Sequence, residues 1–434
     1  MEITKKKVAF HTLGCKLNYA ETSAISRSFP DDQFERVAAN SKADIYIINT
    51  CSVTDAADKK CRQAIKKFIS LSPGACIVVV GCYAQLKPQE IASIPGVDLI
   101  LGSNEKFDIT KYLSDFSKRS EVEVHSCNLS ESDDFNPSYS LGDRTRSFLK
   151  IQDGCDYGCS YCTIPLARGK SRNPEISSII VEAEKIAERG VKEIVITGVN
   201  IGDFGKSTGE SFTSLLKQLV KVKGIERLRI SSIEPNLLTD ELIEIIASDE
   251  KVLPHLHIPL QSGCDRILGL MRRRYTTDHF ESRVKRVIDK VPFAGIGADV
   301  IVGFPGETNN DFEITYSFLK RLPLSYLHVF SYSERPGTVA VNLPSKVSHL
   351  EIERRRKMLS SLSEYKNHEF IKMNAGQITN VLFERNRIEG YISGFTSNYI
   401  KVEHIWQARL AGQVRKVKLL NLSPTGRMAV ELID

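Results

Sequence analysis

The chain has 434 residues, 41% of them hydrophobic and 26% charged, with 59 Lys and Arg against 53 Asp and Glu for a net charge of +6. That length exceeds one compact core, and that balance excludes a disordered or collagen-like chain. No apolar run reaches the roughly 18 residues of a membrane span.

The opening MEITKKKVAF carries Lys5, Lys6 and Lys7 but no signal-peptide apolar stretch, so a cytoplasmic location with no membrane contact is expected. Over residues 1–110, short β-branched runs at 8–13, 44–50, 76–81 and 97–102 alternate with helical patterns such as Thr54–Phe68. Apolar strands alternating with helices predict a parallel α/β sheet. Residues 119–145 turn polar and read as a linker or crossover. A second series then places strands at 148–152, 193–198, 227–232, 255–259, 296–303 and 326–330. Helical patterns at 175–189, 211–222, 239–249, 277–290 and 309–321 separate them. Six such units predict a partial (β/α) barrel whose chemistry sits at the C-terminal ends of its strands. Residues 346–370 read as a long charged helix, and 375–433 alternate in the manner of a small antiparallel β barrel. Three domains are expected, at 1–130, 141–370 and 371–434. The last holds nine basic and five acidic groups. That bias suits a phosphate backbone, although many small basic β domains bind nothing charged.

Ten cysteines in a reducing compartment favour metal or redox chemistry over disulfides. Cys155, Cys159 and Cys162 form a Cys-x3-Cys-x2-Cys loop after the first barrel strand. A structural zinc site would want a fourth ligand, which is not nearby, whereas three thiolates can hold a 4Fe-4S cluster with one iron open. Cys15, Cys51 and Cys82 each follow a predicted parallel strand. Strand ends of an open α/β sheet line one crevice, so these three are expected to converge as a second cluster site. Cys61, Cys76, Cys127 and Cys264 read as structural.

With Tyr161 in the aromatic slot, the loop resembles the Cys-x3-Cys-x-aromatic-Cys motif of the radical S-adenosylmethionine superfamily. Further pieces follow in order: HTLGCKLN (11–18), NTCSVT (49–54), GCYAQ (81–85), GCDYGCSYCTIPLARGKSR (154–172) and TGVNIG (197–202). SSIEP (231–235), HIPLQSG (257–263), DVIVGFPGET (299–308) and FSYSERPGT (330–338) complete the set. Together they resemble the methylthiotransferases over essentially the whole chain. TLGCK at 12–16 and CTIPLARG at 162–169 are most similar to the branch acting on N6-threonylcarbamoyladenosine at position 37, beside the tRNA anticodon. Tyr19 stands where that branch's pattern has Gln. Sister branches act on N6-isopentenyladenosine tRNA or on an Asp of a ribosomal protein. A non-catalytic iron–sulfur RNA-binding protein is the alternative from another class.

The resemblance implies an α/β N-terminal domain, a partial (β/α)6 radical barrel and a TRAM-like RNA-binding β barrel. It implies two 4Fe-4S clusters, on Cys15–Cys51–Cys82 and Cys155–Cys159–Cys162, and S-adenosylmethionine. In the family's scheme one S-adenosylmethionine methylates a sulfur on the first cluster and another, on the second, starts the radical step. Tyr161 would approach the cofactor adenine and Gly198 would allow close backbone approach. Ser231, Ser232, Gln261 and Ser262 would offer polar contacts, with Gly303 and Gly306 on the far side. Arg168 and Arg172 are candidates for substrate or cofactor carboxylate, with an ordinary ion pair as the alternative. The basic runs Arg272–Arg274 and Arg354–Lys357 are candidates for tracking RNA phosphates, with solvated helix faces as the alternative. Arg415, Lys416 and Lys418, with Phe395, Tyr399 and Trp406, would face a tRNA anticodon loop, although aromatics in a small barrel are more often core. A reducing electron-transfer protein of the flavodoxin or ferredoxin type is the implied partner.

Overall fold

The computed structural model describes residues 5–113, 116–129, 134–142 and 144–433. The expected boundary at residue 130 lies outside them. The first sheet has six parallel strands, β1 (Lys6–Thr12), β2 (Phe34–Val37), β3 (Ile45–Thr50), β4 (Cys76–Gly81), β5 (Leu99–Leu101) and β6 (Glu123–His125). Their order is β2-β1-β3-β4-β5-β6. Every side chain of β3 and β4 is buried, because helices cover both faces. Helix Asp55–Leu71 seals one face with Cys61, Ile65 and Phe68, a stripe at helical spacing. Its start is fixed by Thr54, whose side chain accepts from the Ala57 N–H, and by Asp55 and Asp58 in the first turn. Helix Lys16–Arg27 covers the other face through Ile25.

The stretch expected to be a linker or crossover holds two short strands of its own. It supplies β6 at the edge of the first sheet and β7 (Ser138–Tyr139), which pairs antiparallel with β8 (Ser147–Lys150). Strand β2 was likewise not anticipated. Edge strands draw their stability from backbone pairing and need no apolar run to announce them.

Strands β8, β9 (Glu193–Thr197), β10 (Arg227–Ile230), β11 (His255–His257), β12 (Gly295–Val302) and β13 (Tyr326–Ser331) form the partial barrel. A parallel bridge, Ser232 to His257, joins the sheet ending in β10 to the one starting at β11. Ile194, Ile196, Leu228, Ile230, Leu256, Ala298 and Val300 belong to the apolar core shared with the outer helices. The alternate positions are polar: Glu193, Arg227, Arg229, His255, His257, Asp299 and His328. A closed eight-stranded barrel fills its centre with branched apolar side chains, whereas this lumen is lined for polar contents.

Helix His349–Met373 packs along β13 and leads to a closed five-stranded barrel, so the boundary expected at 371 falls inside its last turn. The barrel comprises β14 (Ile378–Ile388), β15 (Tyr391–Thr396), β16 (Lys401–Ile405), β17 (Val414–Leu422) and β18 (Met428–Leu432). All pairs are antiparallel except β16 with β18. Its 395–399 turn docks on the N-terminal ends of the partial-barrel strands. Arg227 donates to the carbonyls of Phe395 (3.2 Å) and Thr396 (3.1 Å), and Arg229 to that of Ser397 (3.1 Å). Tyr399 stacks on His255 at 4.3 Å and on Phe395 at 4.8 Å. Phe395 and Tyr399, expected as RNA-stacking surfaces, are therefore used within the chain. Trp406 packs partly buried against the core of the closed barrel. Among the described residues no helix is long and apolar enough to cross a membrane.

Glu193 anchors this junction, bonding Arg227 at 2.7 Å and Arg229 at 2.8 Å. Burial opposes its charge, but Arg229 and Arg227 overcome that and hold the carboxyl near 2. The folded value lies below the ordinary carboxylate value, so this stabilisation is complete above about pH 4.5 and lost as pH falls towards 2. Acid unfolding followed by circular dichroism is expected to begin at higher pH in Glu193→Ala, which leaves two buried guanidiniums without their anion.

Candidate active site

The three strands β1, β3 and β4 are neighbours in the first sheet, with Thr12 opposite Asn49 and Thr50 opposite Gly81. Cys15, Cys51 and Cys82 therefore leave adjacent strands on one edge. Gly14, at φ +106°, backs directly onto Cys51: a Cβ there would lie 2.6 Å from the Cys51 Cβ. Gly81, also at positive φ, starts the short helix Cys82–Leu86. Burial first, then the neighbouring Cys82 and Cys15, push the Cys51 thiol up to about 12. Gly14→Ala combines a left-handed strain of about 1–3 kcal/mol with that collision. Iron analysis of the reconstituted variant is expected to show roughly half the wild-type content, the share lost being that of this triad.

The second triad lies in a pinched loop. Asp153 and Arg172 bridge its base, and the Cys155 N–H donates to the Gly169 carbonyl at 3.1 Å. Gln152 fixes the entrance: its Nε2 donates to Ser171 Oγ at 2.9 Å, and its Oε1 accepts from the N–H groups of Val199 and Asn200. Ser160 ties the far side to Leu270 and Met271. Each sulfur receives a donor. Tyr157 N–H points at Cys155 (3.4 Å), Ile164 N–H at Cys162 (3.5 Å) and the Arg273 guanidinium at Cys159 (3.1 Å). Arg273 is in turn paired with Glu234 of the SSIEP stretch. Burial pushes Cys155 up to about 11 and Cys162 up to about 12. At neutral pH such groups are thiols unless a metal centre holds them as thiolates.

Among the described residues, only His257, Asp299 and His328 bring three ligand atoms within 4.8 Å of one another. Neither cysteine triad brings its three sulfurs within that distance.

The two triads share a frame. The helix that begins at Cys82 packs on helix Ile164–Arg168, which follows Cys162. Between them lies a buried ionic network. Glu21 bonds Lys106 (2.7 Å), Lys150 (3.1 Å) and Arg168 (2.8 Å), while Asp153 bonds Lys150 (2.7 Å) and Arg168 (2.9 Å). Arg172 joins at Asp153. Four cations thus face two carboxylates. Burial opposes the charge on Arg168, but Cys82, Glu21 and Asp153 hold it firmly protonated. Arg168 also donates to Asn18 Oδ1 (2.8 Å), which in turn accepts from Cys15 Sγ. The cation excess therefore sits behind the first triad, where an anionic thiolate-bound cluster would be compensated. At the other end of the crevice Arg335 donates to the Ser52 carbonyl and pairs with Asp55 and Asp58, tying the loop after Cys51 to the barrel.

These contacts correct several expectations. Arg168 is 1% exposed, and Arg172, also buried, donates to the carbonyls of Arg168 and Asp134. Both guanidiniums are committed within the chain, which is the ion-pair alternative rather than contact with substrate or cofactor carboxylate. Ser262 is fully buried and faces Thr315 rather than open space. A side chain at Gly198 would press on Ile201 (2.8 Å), and one at Gly303 would collide with Ile352, so both glycines answer to packing within the protein. Tyr161 meets Phe304 edge-on and accepts from Arg273 at 3.4 Å, beside Cys159. Ser231 and Ser232 directly follow β10, and Gln261, at φ +69°, pairs with β12 through its backbone. Arg415, Lys416 and Lys418 lie on β17, with Lys416 and Lys418 exposed. Of the four remaining cysteines, Cys61, Cys76 and Cys264 are buried and Cys127 is exposed. Glu234, Gln152 and Glu21 were not anticipated, and Arg273 was expected only as part of a run tracking RNA phosphates. The run Arg272–Arg274 drew attention for its charge, and nothing local marks its middle member as the one turned inward.

The lumen of the partial barrel lies below the triads. Asp299 accepts from His257 Nε2 at 2.8 Å and faces His328 Nδ1 at 3.5 Å; despite burial, these two imidazoles hold its carboxyl well below the usual range. Tyr326 bonds His255 at 2.9 Å.

Residues 7–102 match the family described as Uncharacterized protein family UPF0004, and residues 149–319 match the Radical SAM superfamily. The threonylcarbamoyladenosine tRNA methylthiotransferase MtaB of Bacillus subtilis (strain 168) is 38% identical, over 95% of this chain and 93% of its own. The protein of that name from Aquifex aeolicus is 39% identical over 92% and 96%. A tRNA-2-methylthio-N(6)-dimethylallyladenosine synthase of Syntrophus aciditrophicus is 33% identical over 98% and 90%. Among solved structures, the radical S-adenosylmethionine methyltransferase TsrM of Kitasatospora setae superposes with a TM-score of 0.55 at 15% identity, over 78% of this chain and 77% of that one. That likeness bears on the fold alone.

Proposed function

This chain belongs to the radical S-adenosylmethionine methylthiotransferase family, and on that premise we propose that it is a cytoplasmic enzyme that places a methylthio group on carbon 2 of N6-threonylcarbamoyladenosine at position 37, beside the tRNA anticodon. The observation that carries the reading is the pairing of two cysteine triads, one at three adjacent strand ends and one in the first barrel loop, on helices packed against each other. The threonylcarbamoyl branch is favoured because relatives of that name reach 38–39% identity against 33% for the dimethylallyl relative cited.

In this reading Cys15, Cys51 and Cys82 hold one 4Fe-4S cluster, and Cys155, Cys159 and Cys162 hold the other together with S-adenosylmethionine. When bound, these groups would supply one-electron chemistry, which suits a carbon that bears no acidic hydrogen. The chain's own residues orient and tune. Arg273, fixed by Glu234, donates to Cys159, and the Tyr157 and Ile164 N–H groups donate to the other two sulfurs, contacts of the kind that raise a cluster's potential. Gln152 holds the loop's entrance against the turn after β9. Arg168 balances charge behind the first triad. Tyr161, Ser231, Ser232 and Gln261 line the strand ends where the cofactor would lie. The adenine, drawn from a single-stranded loop, would enter between the triads. Arg415, Lys416 and Lys418 would meet the anticodon arm, and a flavodoxin- or ferredoxin-type protein would supply electrons. Residues 1–130 and 141–373 would act as its first two domains, and the closed barrel beyond the long helix as its third.

Mass spectrometry of tRNA nucleosides from a strain lacking this protein tests the reading. The 2-methylthio form of threonylcarbamoyladenosine is expected to disappear while its unmethylthiolated precursor accumulates. Loss of the 2-methylthio isopentenyl nucleoside instead would overturn it.

A further inference from the structure

The mouth of the partial barrel carries a large ring that packing within the protein does not account for. Along β13, Leu327 and Val329 pack into the apolar core, so Tyr326, His328 and Phe330 face the lumen. Phe330 is the last but one residue of the strand and pairs with Ile301 on β12, which sets it at the mouth rather than deep in the lumen. It is 46% exposed, and among the described residues its one ring neighbour is His328, 6.5 Å away at 84°. Three other aromatic side chains are comparably exposed among the described residues, Phe293, Tyr365 and Tyr391. They lie on the turn before β12, on the long helix and on the closed barrel. Only Phe330 of the four stands at the C-terminal end of a barrel strand, the end at which such barrels do their chemistry.

The segment that follows joins the first triad's domain. The Asp55 N–H donates to Ser333 Oγ at 3.2 Å, and Arg335 donates to the carbonyl of Ser52, the residue after Cys51, at 2.8 Å. Phe330 therefore stands where the chain passes from the lumen to the Cys51 loop. An aromatic ring left open to water offers a flat apolar face, and a purine base presents a matching face with a polar edge. We propose that Phe330 is the platform on which the target adenine stacks once it has been drawn out of its RNA loop. His328 and Asp299, opposite each other on β13 and β12, stand next along the same face as polar partners for the edge of the base. This rests on the function proposed above and names the contact that holds its base.

The test measures binding of anticodon stem-loops to the cluster-reconstituted protein, with position 37 either threonylcarbamoyladenosine or an abasic ribose. The wild type is expected to prefer the base-bearing loop, and Phe330→Ala to reduce that preference about 5- to 150-fold, the scale of one base stacked on one ring. Phe330→Tyr is expected to keep the preference, and Phe330→Leu, apolar but without a ring, to lose most of it. Iron content and affinity for the abasic loop should stay at wild-type values throughout, whereas a merely structural role would move the affinities of both loops together. If Phe330→Ala and Phe330→Leu keep the wild-type ratio, or the wild type binds both loops alike, the platform is wrong. The functional reading fails separately, if tRNA from a strain lacking the protein keeps its 2-methylthio threonylcarbamoyladenosine.

Discussion

Alanine in place of Cys155, Cys159 and Cys162 is expected to end both reductive cleavage of S-adenosylmethionine and methylthiolation, each by about 10³-fold or more. The size of the effect follows from the loop's construction. Two backbone N–H groups and the Arg273 guanidinium converge on three sulfurs that burial would otherwise keep as thiols. Removing the sulfurs leaves those donors aimed at nothing and removes the ligand set for the electron-accepting site. Assay of 5′-deoxyadenosine with dithionite as reductant checks the first loss, and nucleoside mass spectrometry checks the second. Wild-type cleavage in this variant would show that the loop is not the radical site.

Alanine in place of Cys15, Cys51 and Cys82 is expected to separate the two activities. Methylthiolation should again fall by about 10³-fold or more, whereas cleavage of S-adenosylmethionine should persist, because the second triad and its donors belong to a different domain. The separation depends on the ionic network around Glu21 and Arg168 surviving the change. It has its own partners in Lys106, Lys150 and Asp153, so the packing between the two short helices should hold. Retained product formation would refute the role given to this triad. Loss of cleavage as well would mean that the triads do not act separately.

The sequence made both triads legible for different reasons. Cys155, Cys159 and Cys162 are close in the chain, and their spacing alone implies shared ligation. Cys15, Cys51 and Cys82 are far apart, but each ends an apolar strand, and the observed order β1-β3-β4 brings those ends side by side. The outer helices and all six barrel strands were likewise visible as periodic patterns, because one face of each packs on a core. What stayed hidden depends on partners distant in sequence. Glu21 and Arg168 are 147 residues apart, and no local pattern announces that they meet. Arg168 and Arg172 therefore read as surface or ligand-binding cations, although both are buried. Gly198 and Gly303 were read as room for a cofactor, whereas the atoms that would crowd a side chain belong to Ile201 and Ile352. The polar lumen was also missed. Alternation marks which residues face inward, but only the assembled barrel brings Glu193, Arg229 and Asp299 to one side of their strands.

Iron and acid-labile sulfide analysis of the anaerobically reconstituted chain tests the two-cluster account most directly. About eight irons per chain are predicted for the wild type, and about four for either triple-alanine variant. A wild-type value near four, or a triad variant that still holds eight, would contradict it.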